Sequence, residues 1–225
     1  MVRRMSRFIK NDKGIMGLTL SQIGLLIAVG ILIAAIFSII FLNDWHKNAE
    51  LKNIATSFSS MIENMDARFF EDTIEFNFPN NEDYNVSVST EFLTIKSHGN
   101  LNDELSVKER FLVRPWPQSK KSPWEGKLGL HNYLKGYLNN DYTHDWVNDS
   151  GNISDPISAE DIDFVKEYLS TLQENVNNSL ALNPLYLFTN RTVYIDKCII
   201  YYDSNDDVFW NEDDEKSEFI FVYQY

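Results

Sequence analysis

IMGLTLSQIGLLIAVGILIAAIFSIIFL, residues 15 to 42, is a run of 28 positions without a charged side chain. As a helix rising ~1.5 Å per residue it would be about 42 Å long, more than the ~30 Å hydrocarbon core of a bilayer requires. It reads as a membrane-spanning helix, and the rest of the chain is placed relative to it. Residues 1 to 14 precede it with Arg3, Arg4, Arg7, Lys10 and Lys13 against Asp12, a net +4 in a chain of net −13, so the remainder carries −17. Basic residues beside the first end of a span hold that end in the cytoplasm, which predicts an extracytoplasmic C-terminal part. A cleaved secretory signal has an apolar stretch of roughly 7 to 15 residues followed by a small-x-small site. This run is about twice as long and ends in Phe41-Leu42-Asn43-Asp44-Trp45, so it reads as a retained anchor.

The apolar pattern continues beyond the span with a change of character. Leu51, Ile54, Ala55, Phe58, Met61, Ile62, Met65 and Phe69 recur at helical spacing, with Lys52, Asn53, Ser57, Ser60, Glu63 and Asn64 between them. That is one stripe of an α-helix, and it predicts an amphipathic extension over residues 43 to 71. From Thr73 the period becomes two. Residues 73–78, 84–90, 92–97 and 105–113 alternate and are separated by turn-forming clusters, which predicts an antiparallel meander packed on the helix. Residues 114–129, RPWPQSKKSPWEGKLG, hold three of the six prolines and read as a loop. A short helix is expected over 131–138, and a longer one over 159–179 after the box-like Ser158-Ala-Glu-Asp161. Residues 192–203 and 217–225 read as a closing hairpin. The expected fold class is α+β: a long N-terminal helix packed on an antiparallel sheet, with one or two further helices, residues 72–225 forming the extracytoplasmic domain.

Within the opening run, Gly17-Leu18-Thr19-Leu20-Ser21-Gln22 resembles the N-terminus of type IV prepilins and pseudopilins. In that family a Gly precedes the first mature residue and a Glu follows at the position held here by Gln22. The half-buried, half-amphipathic helix followed by a meander is similar to the pilin plan as well. The resemblance implies leader processing between Gly17 and Leu18, and assembly with like subunits into a surface filament or secretion apparatus. It makes Gln22 a departure, since a neutral amide cannot neutralise the N-terminal amine of a neighbour as the family's carboxylate is thought to do, a change some minor subunits tolerate. Gly24, Ala28, Gly30, Ala34 and Ser38, spaced by four within each set, suit close approach of membrane helices. The expected partners are the lipid bilayer and other membrane helices or like subunits.

Several classes are disfavoured. A strongly acidic ectodomain repels phosphate backbones, so nucleic acid is not an expected partner. Cys198 is the single cysteine, which excludes an intramolecular disulfide and reads as a buried thiol. The chain lacks the His-Glu-x-x-His, Gly-x-Ser-x-Gly, phosphate-loop and dinucleotide patterns, and no enzymatic activity is expected. Three further sets of residues are candidates. Asp203, Asn205, Asp207 and Asp214 fall at positions 1, 3, 5 and 12 of a calcium-loop pattern, with Val208 where Gly belongs; a solvated acidic turn is the other reading. No cofactor beyond calcium there is expected. Asn85, Asn148, Asn152, Asn177 and Asn190 are glycosylation sequons, all beyond the span. Arg114, Trp116, Lys120, Lys121 and Trp124 form the one basic, aromatic stretch, a candidate binding patch unless the indoles pack internally. The leading expectation is a non-enzymatic, single-pass, pilin-like surface subunit; the alternative is a tethered binding or sensing domain that does not polymerise.

Overall fold

The structure, a computed structural model, describes residues 9–79, 84–98, 104–119, 124–138, 149–204 and 214–225. The fold is α+β, as expected. Helix α1 spans Ile9–Asp66, and the chain divides into two compact units, one ending at Lys47 and the other beginning at Asn48. In the first unit the helix is long and apolar enough to cross a membrane, and its large side chains from Leu20 to Leu42 face outward. A Cβ added at Gly24 or Gly30 would meet nothing within 4 Å, so neither glycine is filled by this chain's own packing.

The second unit contains two four-stranded sheets. One has the order β1 (Asp72–Phe76), β7 (Val193–Tyr201), β8 (Lys216–Tyr223), β5 (Trp116–Pro117); the other runs β4 (Glu104–Arg110), β3 (Phe92–His98), β2 (Tyr84–Val88), β6 (Leu185–Leu187). The single sheet expected from the sequence is therefore two. The meander is β2-β3-β4, whereas β1 pairs antiparallel with β7, Asp72 opposite Lys197. The reason lies in β7 and β8, which are covered on both faces. Val193 and Ile195 with Ile220 and Val222 join the stripe of α1, while Cys198 and Ile200 with Phe219 and Phe221 pack under α2 (Gly126–Leu138) and α3 (Ile162–Leu182). A strand buried on both sides reads as a continuous apolar run, and it needs paired neighbours at both edges.

Leu51, Ile54, Ala55, Phe58, Ile62 and Met65 of α1 are all buried, so the expected helical stripe is the core-facing one. Phe58 lies at its centre, with ring centroids 5.1 Å from Phe76 and 5.7 Å from Phe78. The stripe stops earlier than its pattern suggested. Phe69 is 88% exposed, because α1 ends at Asp66 and its last turn tightens through Arg68 N–H donating to the Met65 carbonyl. Helix α3 starts three residues later than expected: Ser158 to Asp161 form a turn, and Asp161 takes the N-cap position without a side-chain cap bond. Two short strands, β5 and β6, had no expected counterpart.

Phe58→Ala is expected to destabilise the full chain by about 3–5 kcal/mol through a core cavity, whereas Phe69→Ala should stay within about 0.5 kcal/mol. Chemical denaturation in detergent measures both, and equal losses would contradict the early end of α1.

Candidate functional site

Strand β7 carries four successive residues, Asp196 to Ile199, that meet the start of α2, the end of α1, His131 of α2 and the connection after α1. Asp196 reaches the start of α2: its Oδ2 accepts from Lys127 N–H at 3.1 Å and from the Tyr223 hydroxyl at 2.9 Å, while Gln118 Oε1 accepts from Gly126 N–H at 2.8 Å. Gly126 is required there. Its φ is +64°, and a Cβ would fall 2.6 Å from Asp196 Oδ2. Burial and the adjacent Asp196 carboxylate push the Tyr223 phenol far up, so it stays a donor.

Lys197 is 1% exposed and holds the end of α1. Its Nζ donates to the carbonyls of Asp66 and Arg68, each at 2.6 Å, and pairs with Glu218 Oε2 at 2.5 Å. Three ammonium protons meet three acceptors, and the cation sits where terminal helix carbonyls gather partial negative charge. Burial alone would raise Glu218, but hydrogen bonds from Lys197 and Lys216 outweigh it and hold the carboxyl below its ordinary value.

Cys198 and the Ile199 N–H complete the set. Glu71, from the connection between α1 and β1, accepts on Oε1 from Ile199 N–H at 2.8 Å and lies 2.9 Å from His131 Nε2. His131, on α2 and 6% exposed, has Nδ1 2.8 Å from the Ser150 carbonyl. The fully buried Cys198 Sγ lies 3.6 Å from the same Nε2. Because Ser150 O only accepts, Nδ1 carries a hydrogen; with an ionised Glu71, Nε2 must then carry one as well. Burial works against charge on both partners. Even so, their mutual hydrogen bond holds His131 above and Glu71 below their ordinary values, with the Ser150 carbonyl and the Ile199 N–H adding to it. Burial, followed by the Glu71 charge, pushes the Cys198 thiol well up. A thiol nucleophile would need exposure and a free basic nitrogen, whereas here one nitrogen faces both thiol and carboxylate. The donor atoms of Glu71, His131 and Cys198 lie within 4.8 Å of one another, the one such trio among the described residues and the set able to hold a metal.

The residues singled out from the sequence are dispersed. Gly17 and Leu18 fall where only the backbone of α1 is described, and Gln22 is exposed on that helix. Asp203 and Asp214 are buried, Asp214 Oδ1 accepting from Ser204 Oγ at 2.6 Å; Asn205 and Asp207 lie outside the described residues. Of the sequons, Asn190 is exposed on the turn before β7 and Asn85 is exposed on β2. Asn152 is engaged with Ser150 and Ser154, Asn177 is half-buried on α3, and Asn148 lies outside the described residues. The basic, aromatic stretch comes apart. Trp116 and Trp124 pack edge-to-face in the core, 6.0 Å between centroids, while Arg114 is 69% exposed; Lys120 and Lys121 lie outside the described residues.

Arg114 instead lines a groove of about 470 Å³ between the outer face of the second sheet and the end of α3. Ser87, Thr94 and Lys108, in register across three strands, form part of its lining. Asn177 Oδ1 is buried beside it without a hydrogen-bond partner. Comparison with protein-family models, curated proteins and solved structures finds no match for this chain.

Lys197→Met should cost about 3 kcal/mol, the low end for breaking a buried pair because Glu218 can regain water. The Glu218 contribution is present above its unfolded value near 4.5 and is lost as pH falls through its lower folded value. Thermal melts of wild type and Glu218→Gln across pH should therefore converge in acid; a constant gap from pH 7 to pH 3 would refute the ion pair's role.

Proposed function

We propose that this protein is a non-enzymatic, single-pass membrane subunit with a cytoplasmic N-terminus and an extracytoplasmic α+β domain, built as a pilin-like or pseudopilin-like structural component. The observation that carries this reading is the division of labour within α1. From Leu20 to Leu42 its apolar side chains are exposed, and from Leu51 to Met65 they are the core of the folded domain. Exposed apolar surface on that scale is unfavourable in water, at ~25 cal/mol per Å², and is relieved by lipid or by like helices. The basic residues 1 to 14 and the Gly17-to-Gln22 segment support orientation and processing respectively.

A second reading, a tethered binding domain that does not polymerise, is favoured by the polar groove at Arg114, Lys108 and Asn177. N-terminal sequencing of the protein from native membranes separates the two. Leu18 as the first residue, with recovery in the sheared surface-filament fraction, is the expected outcome. An intact Met1 confined to the membrane fraction would overturn the pilin-like reading and leave the tethered one.

A further inference from the structure

We propose that Glu71, His131 and Cys198 bind a divalent transition metal of the zinc class, which joins the connection between α1 and β1, helix α2 and strand β7 at one point. The donor set carries the identity of the ion. Thiolate, imidazole and carboxylate together suit a borderline-soft cation such as zinc and are unlike the all-oxygen shells of calcium or magnesium.

The geometry carries the site. The Ser150 carbonyl 2.8 Å from Nδ1 fixes the hydrogen on that nitrogen, so the lone pair of a neutral ring is on Nε2, aimed at the other two donors. A histidine ligand is ordinarily oriented by such a bond from its other nitrogen to a carbonyl. With Zn–N and Zn–O near 2.0 Å and Zn–S near 2.3 Å, tetrahedral coordination needs edges of about 3.3 Å between N and O and about 3.5 Å between N and S. The Nε2–Sγ separation is 3.6 Å and the Nε2–Oε1 separation 2.9 Å, with all three donors within 4.8 Å of one another, so the first edge is already in place, the second opens by a few tenths of an ångström, and binding sets the carboxylate–sulfur edge at about 3.5 Å. Three protein donors leave one position of a four-coordinate ion to a non-protein ligand.

The same geometry explains why a cation belongs there. Without metal, Nε2 faces a carboxylate oxygen and can do so only through a proton. Metal binding replaces that proton and the thiol proton, both leaving to solvent, and puts the positive charge at the point where carboxylate, imidazole and sulfur converge. The three donors lie 60 and 67 positions apart in the chain, so the ion would link segments that no local sequence motif joins.

The test uses the full-length, untagged chain in detergent, stripped with a chelator and titrated with cobalt(II) followed by zinc. The expected result is saturation at about one cobalt per chain, with a sulfur-to-cobalt charge-transfer band and intense four-coordinate d–d bands that zinc abolishes. Cys198→Ser should lose the charge-transfer band. His131→Gln and Glu71→Gln should weaken zinc binding by more than the ~10–100-fold typical of losing an outer-shell partner. Zinc should raise the melting temperature of wild type and not of Cys198→Ser. Should either of the two larger changes prevent folding, the wild-type titration and the near-isosteric Cys198→Ser decide. Folded wild type that gives no charge-transfer band and no zinc-dependent melting shift overturns the proposal, as does a Cys198→Ser spectrum identical to wild type.

Discussion

The end of helix α1 is the constraint on which the domain depends. A helix stopping inside a fold leaves backbone carbonyls without partners, and here the buried ammonium of Lys197 satisfies those of Asp66 and Arg68 while Glu218 balances its charge. Glu71 then turns back to take the Ile199 N–H, and the chain leaves it directly into β1, paired beside β7 from Asp72 onward. The helix end, the first strand and the central strand are thus fixed by two residues of β7, Lys197 and Ile199. Asp196 and Cys198 extend the arrangement to α2, so a strand that packs apolar side chains on both faces also supplies polar contacts from its middle.

Much of this was legible because it is periodic. The stripe from Leu51 to Met65 and the alternation of β2, β3 and β4 are local signals of burial, and the structure follows them. The end of α1 was not legible, since Phe69 and Phe70 continue the apolar composition and the residue that ends the helix lies about 130 positions away. Partition into two sheets was hidden for a related reason: alternation marks a strand but not its partner. Strands β5 and β6 are two and three residues long, too short for any period, and exist because β8 and β2 present edges to them.

The candidate site was less legible still. Cys198 was readable as a buried thiol, but Glu71 and His131 become its neighbours only through the packing of α2 and the turn after α1. The one usable signal was a lone cysteine beside Asp196 and Lys197 in a strand whose remaining residues are β-branched or aromatic. For the basic, aromatic stretch the sequence presented two outcomes, and the structure separates its members. Prolines at 115 and 117 set a short extended segment that turns Trp116 inward on Phe221, leaving Arg114 outside at the groove.

Asp196, Lys197 and Glu71 lie on or beside the strand that the two apolar clusters share, and that placement has a physical rationale. Replacing a buried ion pair with apolar groups is often neutral or stabilising, so such pairs contribute little to stability over a well-packed alternative. What Lys197 and Glu71 supply is position. An apolar seam between α1 and β7 would tolerate a slide of one helical turn, because the stripe repeats Ile54, Phe58 and Ile62 at intervals of four. An ammonium that must find two specific carbonyls, and a carboxylate that must find one N–H, admit a single register. The polar end of the contact therefore selects among packings that the apolar stripe leaves close in energy, and it does so at the only segment of α1 where the backbone has free carbonyls to be read.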